Sequence, residues 1–90
     1  MSVKIDIPYL FQHLVGGVST VDVNGRTVGE CLRKLVERLP QFKELIFDKN
    51  GKLLGYIDVY INEESAYPDE LAKPVNDGDE LHIVNIIAGG

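Results

Sequence analysis

The stretch TVGECLRKLVERL, residues 27–39, predicts one amphipathic helix around which the rest of the chain can pack. Thr27 and Glu30 have the spacing of a capping box, in which each side chain satisfies an unpaired backbone amide at the start of a helix. Pro40 disfavours helical backbone in the residue before it and so ends the helix. Apolar residues between these ends recur at helical spacing, which places them on one face. They are Val28, Cys31, Leu32, Leu35, Val36 and Leu39.

Two strands are predicted before this helix. Apolar and polar residues alternate over residues 3–7, which is typical of a half-buried strand. Gly16 and Gly17 indicate the turn of a wide hairpin, and the return strand covers residues 18–23. Asn24 and Gly25, which are common in turns, end that strand before the helix begins.

Two further strands are predicted after the helix. A short helical turn over residues 42–46 is followed by alternation over residues 56–62, and the last strand covers residues 80–87. Residues 62–74 are acidic and irregular, and Asn76-Asp77-Gly78-Asp79 forms a turn. In the middle strand, Ile57, Val59 and Ile61 form one face, and Tyr56, Asp58 and Tyr60 form the other.

This order of elements predicts an α+β protein with the β-grasp, or ubiquitin-like, roll. A wide hairpin, a crossover helix and a final strand give a mixed sheet of four to five strands, with one main helix packed across one face. We expect one such domain over residues 1–87, followed by a flexible tail over residues 88–90. The sheet face away from the helix is then free to contact a partner, with Tyr56, Tyr60 and His82 on it.

Ile86 and Ile87 lie next to each other at the end of the last strand. Consecutive strand residues point to opposite faces, so we expect one of the two to face outward and contact a partner.

Composition excludes several classes of function. The 90 residues carry a net charge of −5 and a pI near 4.8, which disfavours binding to a phosphate backbone and favours a basic or apolar protein partner. No stretch is long and apolar enough to span a membrane, and charges near Met1 disfavour a secretory signal. A single cysteine, Cys31, excludes an internal disulfide and suits a cytoplasmic protein in which this residue packs in the core. His13 and His82 are far apart and have no partner at metal-ligand spacing, so no metal site is predicted.

The chain ends in Ala88-Gly89-Gly90. Two glycines contribute nothing to a core, but a backbone without Cβ atoms can enter a narrow channel. The reactive group of such a tail would be the carboxylate of Gly90 rather than a side chain.

Nearly the whole sequence resembles the MoaD/ThiS family of sulfur-carrier proteins, which have the β-grasp fold. The Asp-Gly-Asp turn, followed about ten residues later by Ala-Gly-Gly, is the most specific feature. The matching stretches are Thr27-Val28-Gly29-Glu30, Leu32 and Leu35, Val59-Tyr60-Ile61-Asn62, Asn76-Asp77-Gly78-Asp79-Glu80-Leu81 and Ala88-Gly89-Gly90.

The resemblance implies a carrier rather than an enzyme. A ubiquitin-activating-type enzyme would adenylate the Gly90 carboxylate with ATP, a sulfur donor would convert it to a thiocarboxylate, and an acceptor enzyme would use that sulfur in biosynthesis. The carrier would hold no permanent cofactor, because its partners supply the chemistry. Within the family, the sequence looks most like carriers for cysteine biosynthesis and nearly as much like the small subunit of molybdopterin synthase; a thiazole or a tRNA also stays open as acceptor.

One departure from the family and two other functions stay open. Many family members have proline near the positions of Asn85 and Ile86, so we expect the last strand to run further here. A ubiquitin-like modifier joined to lysine through Gly90 would use the same activation. A plain β-grasp interaction module would function without residues 89 and 90.

Overall fold

The computed structural model describes residues 1–86; Ile87 and the predicted tail, Ala88 to Gly90, lie outside the described residues. The described chain contains five strands, three α-helices and two short 3-10 helices. The strands are β1 (Ser2–Asp6), β2 (Thr20–Asn24), β3 (Ile57–Ile61), β4 (Glu64–Ser65) and β5 (Glu80–Asn85). The helices are α1 (Tyr9–Gln12), α2 (Val28–Arg38) and α3 (Phe42–Ile46), with 3-10 helices at His13–Val15 and Glu70–Ala72.

The sheet is mixed and has the strand order β2-β1-β5-β3-β4. β1 runs antiparallel to β2 and parallel to β5, while β3 runs antiparallel to both β5 and β4. The last strand of the chain therefore lies between the first and the third strands. This arrangement confirms the predicted β-grasp fold.

Helix α2 begins where the sequence predicts. Thr27 is extended, and its Oγ1 accepts a hydrogen bond from the Glu30 amide at 3.1 Å. No return bond from the Glu30 side chain to the Thr27 amide occurs in the described part of the chain, so only half of the predicted capping box forms. The amide of Val28, the first residue of the helix, donates to the Lys73 carbonyl at 2.9 Å. This bond connects the start of the helix to the chain that precedes β5.

The core lies between α2 and one face of the sheet. Leu32 and Leu35 of the helix are completely buried, as are Ile5 of β1 and Leu81 of β5. The alternation of the strands and the helical spacing thus converge on one cluster. Val36 and Leu39, which the helical pattern also placed on the buried face, are only partly buried against its edge.

The connections differ from the prediction in three places. The hairpin between β1 and β2 contains α1 and a 3-10 helix before Gly16 and Gly17, both of which have positive φ, and the return strand starts only at Thr20. Residues 62–74 are not wholly irregular, since β4 and a 3-10 helix lie there. Local hydrogen bonds form all of these short elements, and they are too short for a periodic pattern to show.

The last strand is shorter than predicted. β5 ends at Asn85, not at residue 87, although the Ile86 amide still donates to the Tyr56 carbonyl at 2.7 Å. Likewise β3 begins at Ile57, one residue after the predicted start. Among residues 1–86, no helix combines the length and apolar character needed to cross a membrane.

Candidate functional site: the free sheet face and the end of strand β5

Strand β5 is the element that precedes the predicted tail in the chain. β1 pairs with its first half, from Glu80 to His82, and β3 pairs with it from Leu81 to Asn85. The bond from the Ile86 amide to the Tyr56 carbonyl extends the β3 side one residue further. Ile86 is 48% exposed, so it faces outward directly after the end of the strand. Gly90 follows four residues later, and with Ile87 it lies outside the described residues.

The fold brings the predicted face residues together. Tyr60 and His82 are direct partners in the β3–β5 register, and both side chains are half-buried. Tyr56 precedes β3, is 52% exposed and lies beside Ile86 through their backbone bond. Four of the five predicted partner residues thus lie on β3 and β5 or directly beside them. Their role in binding remains a prediction.

His82 lies at the centre of a charged cluster on this face. Its Nδ1 is 2.8 Å from Asp6 Oδ2, and its Nε2 is 3.7 Å from Glu80 Oε2. The ligand-type atoms of these three side chains lie within 4.8 Å of one another, so the donor types of a cation site meet here although the sequence predicted none. Spacing could not show this, because Asp6 reaches His82 only through the parallel pairing of β1 with β5.

Asp58 is a buried carboxylate in the same sheet. Its Oδ1 accepts from the Val59 amide at 2.8 Å, and its Oδ2 accepts from the Ser65 hydroxyl at 2.6 Å. The sequence placed Asp58 on the face with the tyrosines but gave no sign that it is buried. Asp58 therefore joins β3 to β4 rather than presenting a charge to a partner.

An open groove lies beside Ile86. It has a volume of about 740 Å³, and its apolar lining comes from the chain before β3, from the first residue of β3, from the second 3-10 helix and from Ile86. The apolar residues of the groove are Leu53, Leu54, Ile57, Leu71, Ala72 and Ile86.

Two other candidate residues lie away from this face. Cys31 is fully buried in the core, and burial raises the pKa of its thiol, with the Glu30 carboxylate nearby adding to the effect. The predicted packing role of Cys31 fits this position, and the face carries no thiol because the chain has no other cysteine. His13 is exposed on the first 3-10 helix, outside the His82 cluster.

These features define the class of protein. A mixed sheet of this order, one long helix across one face and a central last strand that leads to Gly-Gly describe a ubiquitin-like β-grasp protein. The ThiS family model matches residues 9–90, and the chain belongs to that family.

Known proteins resemble this chain over most or all of its length. The sulfur carrier protein CysO of Mycobacterium tuberculosis is 30% identical over 93 residues, which cover 100% of both chains. A chain in the crystal structure of the Amycolatopsis orientalis BexX/CysO complex is 32% identical, with a TM-score of 0.85 over 98% of this chain and 99% of that one. Small archaeal modifier protein 1 of Haloferax volcanii is 37% identical over 71 residues, 78% of each chain.

Proposed function

We propose that this protein is a sulfur carrier whose reactive group is the carboxylate of Gly90. The observation that carries this proposal is the match to a sulfur carrier protein over the full length of both chains. The fold adds a physical reason, because β1 and β3 flank the first half of β5 and β3 pairs with it as far as Asn85, five residues before Gly90. A firmly held strand followed by glycines can present a carboxylate to a deep active site.

The chemistry requires activation of the carboxylate. An oxygen of Gly90 attacks the α-phosphorus of ATP, an acyl adenylate forms, and pyrophosphate leaves. A donor then supplies sulfur at the oxidation level of sulfide, which attacks the carbonyl carbon of the adenylate. AMP leaves, and the product is a thiocarboxylate. A ubiquitin-activating-type enzyme supplies the first step and binds the ATP, so the carrier itself needs no bound cofactor.

The thiocarboxylate then donates its sulfur to an acceptor enzyme. We place that acceptor in cysteine biosynthesis first, because two of the cited relatives are CysO proteins, and in molybdopterin synthesis second. A cytoplasmic location suits both the use of ATP and the single unpaired cysteine.

Intact-mass spectrometry of the protein purified without reductant from its own host tests the proposal. We expect a species heavier by the difference between sulfur and oxygen. A variant that lacks Gly89 and Gly90 serves as control, since it should show the unmodified mass under the same conditions. Unmodified wild-type protein in the presence of a competent activating enzyme and sulfur donor would contradict the proposal.

A second function is favoured by one specific similarity. Small archaeal modifier protein 1 is 37% identical to this chain, which supports conjugation of Gly90 to lysine amines. Both functions share the adenylate and differ in the nucleophile that attacks it. Conjugates of higher mass in a host lysate, absent when Gly90 is deleted, would establish this second function.

A further inference from the structure

Most of the large apolar side chains that the described fold leaves exposed lie at the end of the sheet where β5 finishes, which we call the tail edge. β5 runs toward this edge and ends beside Ile86, β1 runs parallel to it and leads into α1, and β3 starts here after Tyr56. We call these five residues the tail-edge rim. They are Tyr9, Leu10, Leu14, Tyr56 and Ile86, with exposed fractions of 85%, 61%, 43%, 52% and 48%.

The α1 part of this rim is firmly attached to the domain. Phe11 packs edge-to-face on Phe42 of α3 with 6.0 Å between ring centroids. Gln12 Nε2 donates to the Ile7 carbonyl at 3.1 Å, and Gln41 Nε2 donates to the Leu14 carbonyl at 3.4 Å. The exposed residues of α1 and of the 3-10 helix therefore sit on an anchored segment. An anchored apolar surface suits binding, because little conformational entropy is lost when a partner covers it.

The length of the chain beyond Ile86 determines which partner can cover the rim. Gly90 is four residues past Ile86, and an extended chain spans at most about 3.3–3.6 Å per residue, so Gly90 can lie no more than about 14 Å from Ile86. An enzyme that acts on the Gly90 carboxylate must bring its active site within that distance. Because an active site is a concave pocket with walls around it, those walls must lie over this edge of the sheet.

We propose that the tail-edge rim is the docking surface for the adenylating enzyme, with Tyr9, Leu10 and Leu14 as the apolar anchors. This inference rests on the proposed function of Gly90. It adds a contact that the sequence did not single out, since those three residues lie in the hairpin insertion and not on the sheet face. The enzyme should present an apolar pocket to α1 and basic groups toward the acidic sheet face, where Asp6 and Glu80 lie.

Steady-state kinetics of the activating enzyme from the same organism test the proposal. Pyrophosphate release is measured against the concentration of the wild-type carrier and of Leu10→Asp. Asn24→Asp is the matched control, because it adds the same charge at an exposed position. Asn24 pairs with Ser2 at the start of β1, which is the opposite end of the sheet from the tail edge. Tyr9→Ser, at the most exposed rim position, is a second variant for which loss of the fold is not expected.

We expect the KM for the carrier to rise about ten-fold or more in Leu10→Asp, with kcat little changed and Asn24→Asp like wild type. The rim proposal would be overturned if the KM is unaltered in both Leu10→Asp and Tyr9→Ser. The proposed function would still stand in that case, provided that wild type is active and the variant that lacks Gly89 and Gly90 is inactive. If the wild-type carrier is itself no substrate, the proposed function fails with it. Size-exclusion chromatography with light scattering tests whether a second copy of this chain binds the rim instead. A wild-type dimer that Leu10→Asp converts to a monomer would assign the rim to that second copy.

Discussion

Gly29 shows how a single residue can be required for a reason that sequence spacing does not reveal. A Cβ atom at this position would lie 2.9 Å from the Leu71 carbonyl oxygen and 3.2 Å from Leu71 Cβ. Glycine therefore lets the first turn of α2 approach the 3-10 helix at residues 70–72. A helical glycine costs up to about 1 kcal/mol relative to alanine, and this contact explains why it is tolerated here.

Replacing Gly29 with alanine should destabilise the protein although alanine favours helices. We expect the free energy of unfolding to fall by about 1–3 kcal/mol, because the backbone carbonyl of Leu71 must move. Urea denaturation measures this change. Gly55→Ala is the matched control: among residues 1–86, no atom other than those of its chain neighbours lies within 4 Å of its Cβ position, so that variant should be neutral or slightly stabilised.

The buried Cys31 thiol should make stability depend on pH in the alkaline range. Its pKa is raised by burial in the folded state, so an unfolded chain loses this proton first, above about pH 8.5. The contribution is complete below the unfolded pKa and is lost as pH rises through the folded pKa. The free energy of unfolding of wild type should thus fall more steeply with alkaline pH than that of Cys31→Ala; parallel slopes would contradict this.

At the scale of one element, β3 shows how the fold handles a strand with an incomplete neighbour. β4 pairs with only Tyr60 and Ile61 of β3, although the Ala66 amide also donates to the Val59 carbonyl. The Asp58 carboxylate accepts the Val59 amide at 2.8 Å on the same strand. A side chain thereby takes the place of a missing ladder partner for the Val59 amide.

Removing the Asp58 carboxylate should weaken this strand. Asp58→Ala leaves the Val59 amide and the Ser65 hydroxyl without their acceptor, which should cost about 1–3 kcal/mol of unfolding free energy. Hydrogen exchange at the Val59 amide should become faster in the same variant. Asp58→Asn retains an acceptor oxygen for the amide and should lose less; equal losses in the two variants would argue against the hydrogen bonds as the cause.

At the scale of the whole molecule, stability and function are spatially separate. The buried cluster lies between α2 and the sheet, whereas the features that point to function lie on the free face and at the tail edge. The helix α2 that organises the fold therefore contributes only indirectly to the proposed chemistry. Its role is to hold β5 in the centre of the sheet.

Two changes should separate these properties. Leu35→Ala, at a fully buried position, should lower the unfolding free energy by about 2–5 kcal/mol and leave activation of the folded fraction intact. Deletion of Gly89 and Gly90 should leave the unfolding free energy unchanged and abolish adenylation. Urea denaturation and pyrophosphate release, each measured on both variants, test these two predictions. A markedly lower melting temperature after the deletion would mean that the tail packs on the domain.

The sequence alone determined the elements whose patterns are long enough to read. The helical spacing from Val28 to Leu35, the cap at Thr27 and the alternation in β1, β3 and β5 were sufficient to predict the β-grasp fold. They sufficed because each element buries one face, so its apolar residues recur with the period of a helix or a strand. The proposed reactive group was also evident from sequence, since Gly-Gly needs no tertiary contact to be recognised.

Only the tertiary structure decided what depends on distant residues meeting. The Asp6–His82 contact requires the parallel pairing of β1 with β5, and the bond from the Ser65 hydroxyl to the Asp58 carboxylate requires the pairing of β4 with β3. The rim forms because the β1–β2 hairpin, the chain before β3 and the end of β5 meet at the same end of the sheet. These features arise from chain segments that are far apart in sequence, and no local pattern encodes which strand neighbours which.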